Sequence, residues 1–306
     1  GLPLTVEDNN YQTLFPTSVN GTLYGFNGTY TTESELIHGS AYWLVFSNDG
    51  SDQLNGENLN TLTIDLSQGW NMVSGISHPV NLNNISDPGG IIVQGTTYGF
   101  NGTYQNSTSL IPGKGYWMNA NADGQVTISS SNLRTKSVQK FTDLTQKANS
   151  ISFNDGKLFF GISIPENDLN NYILPPKPPQ GAFDVRYTGN IKLVENKGSI
   201  EITNNEPNLF ISYNINIDAG INMKWVLISA NGKKYDLNGQ GSILVDGGIN
   251  SFELSKVSVI PNKFLLSQNF PNPFNPITNI KYSLPQKEHV SINTIIKKCR
   301  NGDLNE

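Results

Sequence analysis

Residues that could perform acid–base or nucleophilic chemistry are sparse in this chain. Histidine occurs only at His38, His78 and His289. A Ser-His-Asp triad can assemble from distant positions, but the Gly-x-Ser-x-Gly turn that would present a nucleophile is missing from the sequence. Glu33 and Glu35 have no acidic counterparts in the second copy of an internal repeat, so we interpret them as surface charges. The sequence therefore predicts a non-catalytic chain without a cofactor.

Metal binding is the other chemistry to weigh. Asp49 and Asp52 lie in the loop Asn48-Asp-Gly-Ser-Asp52, where hard oxygen ligands on a glycine-containing turn resemble a weak calcium site. The second repeat keeps few of these ligands, so an ordinary solvated loop is the favoured interpretation. The single cysteine, Cys299, excludes an internal disulfide and a cysteine-based zinc site within the chain.

Aromatic residues offer the remaining candidate site. Trp43 and Trp117 each lie on a strand-like run beside a tyrosine, and Tyr30 and Tyr104 close an aromatic hairpin in the same two repeats. Alternation along these runs places the tyrosines Tyr42 and Tyr116 on the core face and the two tryptophans on the other face. We weigh two interpretations: the tryptophans form a binding platform for an extracellular glycan or protein, or both faces are buried in a sandwich.

The elements that would position these residues form a repeat. The segment Tyr24-Gly-Phe-Asn-Gly-Thr-Tyr30 recurs identically at 98–104, and Leu36 to Trp43 returns at 110–117, both with an offset of 74 residues. Asn27-Gly28 and its counterpart at 101–102 predict β-hairpins with type I′ turns. The same offset aligns Gly1 with Gly75, so the first copy lacks the Gly-Trp-Asn opening strand of the second, and we expect a fragment or a processed chain.

Downstream of the repeats, strand-like runs separated by turns predict a β-sandwich. Eight such runs lie between 157 and 254, after a polar stretch at 131–150 that we interpret as a linker. Pro175-Pro-Lys-Pro-Pro179 interrupts them and predicts polyproline II or turn geometry, either as a PxxP ligand or, in our preferred interpretation, as a staple over the sandwich. The predicted fold is all-β: two tandem repeats over 1–130, the linker, a sandwich over 151–258, and an incomplete C-terminal domain over 259–306.

The amino-acid composition limits the classes of partner that the chain can bind. The 306 residues carry a net charge of −5, and only 15% of them are charged. The sequence has no basic cluster able to follow phosphates, so we expect no nucleic-acid partner. It also has no apolar run long enough to span a membrane.

The C-terminal part carries a specific motif. The run Gln268-Asn-Phe-Pro-Asn-Pro-Phe-Asn-Pro276 is rich in proline and asparagine. On this run and the residues around it, the chain between 261 and 292 resembles the type A C-terminal sorting domain of the type IX secretion system, an immunoglobulin-like module by which certain Gram-negative bacteria export proteins. After this run, the apolar residues Ile280, Tyr282 and Leu284 alternate with polar residues, as expected of a β-strand. After Ile292 the sequence departs from the family pattern, so we expect a truncated domain. The motif comprises Asn269, Phe270, Pro271, Asn272, Pro273, Phe274, Asn275 and Pro276.

The resemblance implies recognition by the type IX secretion machinery and an extracellular or outer-surface location. The segment 172–183 is more loosely similar to domains found upstream of such sorting domains. We therefore expect a non-catalytic fragment of an exported protein whose repeats are adhesive or ligand-binding. The alternative is a spacer and secretion region behind an upstream hydrolase, and structural surface-layer material is a third possibility.

Overall fold

The computed structural model describes residues 1–131, 141–220, 222–259, 263–272 and 277–291. These residues belong to two compact units, one formed by 1–220 and 224–257, the other by 221–223 and 258–306. Strands account for 42% of the structure and helices for 6%, which confirms the predicted all-β class. No helix in the described ranges is both long and apolar enough to cross a membrane.

The repeat region contains twelve strands, one short helix, α1 (Tyr11–Leu14), and a 3-10 turn at Leu82–Asn84. The strands are β1 Leu4–Thr5, β2 Tyr24–Phe26, β3 Tyr30–Thr32, β4 Glu57–Asn58, β5 Thr61–Leu66, β6 Gly69–Ser74, β7 Val80–Asn81, β8 Tyr98–Phe100, β9 Tyr104–Asn106, β10 Ser109–Leu110, β11 Gly115–Ala120 and β12 Gly124–Ser129.

The second copy builds a four-stranded sheet in the order β6-β11-β8-β9, with β5 and β12 paired beside it. In the first copy, β2 and β3 form the equivalent hairpin, and residues 41–46 stand where β11 stands in the second copy. We call residues 41–46 the edge segment. Its Trp43 bridges Tyr24, just as Trp117 pairs with Tyr98 one repeat later.

Both predicted hairpins form, but their turns differ from the expected type I′. Asn27 and Asn101 do not have positive φ, whereas Gly28 (φ 79°) and Gly102 (φ 75°) do. The flanking pairs leave three residues in each loop instead of two, and the amide of the asparagine bonds to the carbonyl two residues on. A three-residue loop needs the left-handed conformation at one position only, and glycine supplies it.

The tyrosine face of each repeat is the core face, as the alternation predicts. Tyr116, Met118 and Ala120 belong to the buried core of the second copy. Tyr42 and Leu44 pack against the smaller core of the first copy. The two cores use matching positions, because Leu2, Tyr11 and Leu36 of the first copy correspond by the repeat offset to Ile76, Ile85 and Leu110 of the second.

The sandwich consists of two five-stranded sheets, in the orders β16-β14-β13-β18-β21 and β15-β17-β22-β19-β20. Every one of the predicted runs contains a strand, and two strands were not predicted: β13, which begins inside the predicted linker, and β20. Residues 132–140 of that linker lie outside the described residues. The strands are β13 Asn149–Phe153, β14 Gly156–Phe160, β15 Asp184–Tyr187, β16 Leu193–Val194, β17 Lys197–Thr203, β18 Asn208–Asn214, β19 Met223–Ser229, β20 Lys234–Leu237, β21 Gln240–Asp246 and β22 Ser251–Ser258.

The region also contains two 3-10 helices. Leu144–Gln146 precedes β13, and Glu166–Tyr172 lies between β14 and the proline-rich segment. The core between the sheets includes Phe153, Phe160 and Trp225. Tyr98 and Trp117 of the second repeat belong to the same buried cluster. The repeats and the sandwich thus share one core, instead of being joined only by a linker.

The second unit is described in part. Strands β23 (Leu265–Leu266) and β24 (Tyr282–Ser283) form an antiparallel pair, extended by hydrogen bonds between Phe270 and Asn279. The large apolar side chains Leu266, Phe270 and Tyr282 are exposed.

Candidate functional site

The four aromatic residues singled out in the sequence come together where the two repeats meet. Phe26 of the first repeat packs edge-on against Trp117 of the second, with ring centroids 4.8 Å apart. Phe100 of the second repeat packs in the same way against Trp43 of the first, at 4.7 Å. Phe26 and Phe100 occupy equivalent repeat positions, as do the two tryptophans, so the copies exchange the same contact in both directions.

Each hairpin repeats an internal aromatic pair. Phe26 lies 5.3 Å from Tyr30, and Phe100 lies 5.4 Å from Tyr104, both in edge-to-face geometry. Such pairs each contribute about 0.5–1.5 kcal/mol beyond the burial of their area. The two copies also approach closely at equivalent positions, because a Cβ on Gly115 would lie 2.9 Å from the Cβ of Ala41, its counterpart by the repeat offset.

A proline-rich segment of the sandwich crosses this cluster, and we call residues 173–179 the proline strap. The Tyr30 hydroxyl donates a hydrogen bond to the Lys177 carbonyl (2.9 Å), and the Tyr104 hydroxyl donates to the Pro176 carbonyl (2.8 Å). Proline-rich backbone leaves its carbonyls without intrasegment partners, so phenol donors suit it. Tyr98 extends the series through a 3.1 Å bond to the Ile173 carbonyl.

The strap overturns the interpretation of Trp117 as part of an exposed platform. Trp117 is only 3% exposed, because its ring faces the hairpin of the first repeat and the sandwich core. Tyr30 and Tyr104 are half-buried and use their hydroxyls on the strap. Alternation along the strand separated the two faces correctly, but it carried no information on what covers the second face.

Burial keeps the hydroxyls of Tyr30 and Tyr104 protonated, so that they can donate hydrogen bonds. Desolvation raises the pKa of Tyr30, and the neighbouring Tyr104 and Trp43 only partly offset that rise. Burial likewise raises the pKa of Tyr104 far above its ordinary value. Neutral hydroxyls are therefore maintained across the physiological range, which is what hydrogen-bond donation to backbone carbonyls requires.

The other side of the strap is held by a buried ion pair. Arg186 contacts the Asp184 carboxylate through two bonds of 2.6 Å, and its Nη1 donates to the Pro175 carbonyl at 2.8 Å. Both side chains are almost fully buried. A bidentate guanidinium–carboxylate pair fixes both partners in one orientation. Arg186 thereby anchors the strap to β15.

Trp43 differs from Trp117 because part of its side chain remains accessible to solvent. It is half-buried, and it lines a cavity of about 190 Å³. Its Nε1–H is buried and makes no hydrogen bond of acceptable geometry within the described residues, although the Tyr30 hydroxyl lies nearby. The remaining wall consists of Ala41, Tyr42, Leu44, Met72, Tyr98, Phe100, Gly115, Tyr116 and Trp117.

A buried donor without a partner costs roughly 1–3 kcal/mol. The aromatic and apolar wall of the cavity suits a group that is apolar or planar on its faces.

The calcium candidates are not assembled into a site. Asp49 and Asp52 are both exposed in the loop between the edge segment and β4. No group of three or more His, Cys, Asp or Glu side chains that could hold a metal occurs in the part of the chain that the structure describes.

The structure describes only the first half of the segment 269–276. Asn269 donates through its side chain to Thr278 (3.1 Å), and the Thr278 hydroxyl donates to the Pro271 carbonyl (2.8 Å). Phe270 is 78% exposed, and Asn272 is exposed as well. Pro273, Phe274, Asn275 and Pro276 lie outside the described residues.

Sequence reasoning missed a buried lysine at the junction of repeat and sandwich. Lys192 donates to the Asn106 side-chain oxygen at 2.7 Å, and its ammonium group lies 4.9 Å from the ring centre of Tyr98 and 5.8 Å from that of Tyr172. Burial lowers its pKa from 10.5 to about 8, against the opposing charge of Asp143. A lysine between Ile191 and Leu193 in an apolar run was the available signal.

Comparison with known proteins finds no match to this chain among family models, curated proteins or solved structures.

Proposed function

We propose that this chain is a non-catalytic recognition region of an exported protein, and that its repeats bind an extracellular ligand at the Trp43 cavity. The observation that carries the proposal is the aromatic cavity of about 190 Å³ whose wall includes the half-buried ring of Trp43. Trp117, Tyr30 and Tyr104 act as the frame that holds Trp43 in place, instead of acting as direct ligand contacts.

The size of the cavity limits the ligand. At about 190 Å³ it is smaller than the roughly 300–1,000 Å³ of typical small-molecule sites. It has room for one ring or one side chain, with the rest of the ligand outside. The partner is accordingly a glycan or a protein that inserts a single group.

Binding at Trp43 is testable by intrinsic fluorescence. Trp43→Phe keeps an aromatic ring but removes the indole donor, and it should weaken binding of a ligand found in a glycan or extracellular-protein screen by about tenfold. Trp225→Phe, on a core residue of the sandwich, is the matched control and should leave the affinity unchanged. Equal affinities of the wild type and Trp43→Phe would contradict the proposal.

A spacer role is the second candidate, and the proline strap favours it. Three hydroxyls from the repeats and one guanidinium from the sandwich hold the strap, so repeats and sandwich form one unit suited to presenting another domain at a fixed distance. If a broad screen of extracellular glycans and proteins gives no ligand that perturbs Trp43, the spacer role is the better account.

Export is the third component of the proposal and is supported by the sorting-domain resemblance. We propose that the protein passes through the type IX secretion machinery to the outer surface or the medium. Antibodies against the repeats should label intact cells of the source bacterium and lose that labelling when the secretion machinery is deleted. Labelling that persists without the machinery would contradict this route.

A further inference from the structure

A second cavity lies where the loops at one end of the sandwich meet the hairpin of the second repeat. Its wall comes from the β8–β9 hairpin (100 and 102), the β13–β14 turn (154–155), residues 181–183 before β15, and residues 204–206 after β17. We call it the polar cavity. Its volume of about 330 Å³ falls within the roughly 300–1,000 Å³ of typical small-molecule sites.

Two asparagine side chains on this wall are each held at one end only. Asn154 adopts the left-handed conformation (φ 48°), which asparagine tolerates, and its side-chain oxygen accepts a hydrogen bond from the Phe210 amide at 3.0 Å. The Asn205 side-chain nitrogen donates to the Gly181 carbonyl at 2.9 Å. These bonds leave the amino group of Asn154 and the side-chain oxygen of Asn205 without a partner among the described residues.

Two carboxylates border the same cavity. Asp155 and Glu206 are exposed, and neither side chain forms a hydrogen bond or an ion pair with any residue that the structure describes. The wall contains no lysine or arginine. Ionised carboxylates accept hydrogen bonds from hydroxyl groups that are roughly twice as strong as those between neutral groups. The wall therefore offers strong acceptors beside the amide donor of Asn154.

Two half-buried phenyl rings complete the wall. Phe100 is fixed by edge-to-face contacts with Trp43 and Tyr104, and it borders the Trp43 cavity as well as the polar cavity. Phe183 packs against the core of the sandwich. Rings held in this way present rigid apolar surface next to the polar groups, at little cost in conformational entropy on binding.

We propose that the polar cavity binds a neutral pyranose residue of an extracellular glycan. The C–H face of the sugar packs against Phe100 and Phe183. Its hydroxyls donate hydrogen bonds to Asp155 and Glu206 and accept one from the amino group of Asn154. This assignment goes beyond the proposed function, because it concerns a different cavity and does not require a ligand at Trp43.

The chemistry of the wall favours a neutral sugar over other ligands. A hydroxyl group both donates and accepts hydrogen bonds, which matches a wall with both kinds of group, whereas a cation leaves the donor of Asn154 unused. An anion is repelled by Asp155 and Glu206, with no basic side chain in the wall to offset the repulsion. A wholly apolar ligand would desolvate both carboxylates without replacing their hydrogen bonds.

The test uses the full chain and the methyl glycosides of glucose, galactose and mannose at millimolar concentrations. Binding is followed by the chemical shifts of backbone amides. We expect at least one glycoside to bind saturably and to shift the amides of Asp155, Gly181 and Asn205. The uronic acid counterpart of the bound hexose, which carries a carboxylate at carbon 6, should bind about tenfold more weakly or less.

Variants of the wall supply the second part of the test. Asp155→Ala and Glu206→Ala should remain folded, because both side chains lack internal partners, and each should weaken binding by about tenfold. Phe183→Leu keeps an apolar side chain but removes the ring, and it should also weaken binding. Glu195→Ala and Asp218→Ala are the matched controls: both acids are exposed and lie outside the wall, so the affinity should not change.

Three outcomes overturn the assignment: no binding of any of the three glycosides, unchanged affinity in both Asp155→Ala and Glu206→Ala, or binding of glucosamine alone, which would indicate a site for cations. If a glycoside shifts the amides of the edge segment but not those of the polar cavity, this assignment fails and the proposed function stands. If a glycoside binds in the polar cavity while no ligand binds at Trp43, the assignment stands and the proposed site at Trp43 fails.

Discussion

At the scale of single residues, the buried ion pair of Asp184 and Arg186 allows a direct test of stability. Both groups are buried, and Arg186 also supports the strap through the Pro175 carbonyl. Removing one member of a buried pair leaves a charge without compensation, which typically costs 3–5 kcal/mol. Asp184→Asn should therefore lower the free energy of unfolding by roughly that amount, measured by urea denaturation.

An exposed pair provides the control for Asp184→Asn. Lys177 and Glu201 are joined at 2.7 Å but remain about half exposed. Glu201→Gln should change the free energy of unfolding by no more than about 1 kcal/mol. If Asp184→Asn also lowered the free energy of unfolding by no more than about 1 kcal/mol, the buried pair would not be what holds the strap.

The second residue-scale prediction concerns Lys192 and pH. Because burial lowers its pKa from 10.5 to about 8, the protonated form favours the unfolded chain. The free energy of unfolding should therefore rise between about pH 8 and pH 9.5, by about 2 kcal/mol. Above about pH 10, ionisation of tyrosines in the unfolded chain reverses the trend, since burial raises the pKa of Tyr98 and Tyr104 in the folded state.

Lys192→Met tests this titration directly. Methionine fills the space between Tyr98 and Tyr172 without a charge, so the variant should remain folded and lose the rise between pH 8 and pH 9.5. A rise that is unchanged in Lys192→Met would assign the pH dependence to another group.

The residue types alone predicted part of the aromatic site, but not the buried ion pair. The recurrence of Trp43 and Trp117 at one repeat position singled out both residues, but it did not indicate that each would pack against the hairpin of the other copy. Burial of Asp184 and Arg186 could not be predicted, because an Asp-x-Arg pattern places both side chains on one face of a strand without indicating whether that face is buried or solvated. Their environment depends on the strap and on the repeats, which are distant in sequence.

At the scale of elements, the proline strap joins the repeat hairpins to the sandwich. Tyr30→Phe and Tyr104→Phe each remove one hydroxyl and leave a strap carbonyl without its donor. We expect each variant to lose about 1 kcal/mol of unfolding free energy, measured by urea denaturation. The double variant should lose about the sum or more, because both bonds restrain the same short segment.

A tyrosine in the other unit serves as the control for the strap variants. Tyr282→Phe lies in the hairpin of β23 and β24, and it should leave unfolding of the repeat and sandwich unit unchanged. If the strap variants are as stable as the wild type, water replaces the tyrosine hydroxyls as hydrogen-bond donors to the strap carbonyls without a loss of unfolding free energy.

Local patterns predicted the elements better than their partners. Strand alternation and turn residues located the sandwich strands and both hairpins. The polyproline signal indicated a staple in advance, but nothing in it pointed to Tyr30 or Tyr104, because those contacts join residues 147 and 72 positions apart. The turn type was wrong because an Asn-Gly pair fits both two-residue and three-residue loops.

At the scale of the whole molecule, the shared core predicts that repeats and sandwich unfold together. Tyr98 and Trp117 from the repeats are buried in one cluster with Phe153 and Trp225 from the sandwich. In a Trp225→Phe variant every remaining indole lies in the repeats, so fluorescence reports on them alone, while far-ultraviolet circular dichroism reports on all strands. The two urea midpoints should coincide.

Two separate midpoints in that variant would mean that the strap and the shared core do not couple the regions. The same measurement on Trp225→Phe combined with Tyr30→Phe and Tyr104→Phe should separate the transitions if the strap carries most of the coupling. Coincidence in both proteins would assign the coupling to the buried core instead.

The reciprocal contact of Phe26 with Trp117 and of Phe100 with Trp43 has a consequence for truncated forms of the chain. A contact that two copies exchange in both directions closes on itself. Deletion of either copy would remove the phenyl ring that packs on the indole of the other and the indole that packs on its phenyl ring. The smallest part of the repeat region that keeps these contacts is therefore the pair.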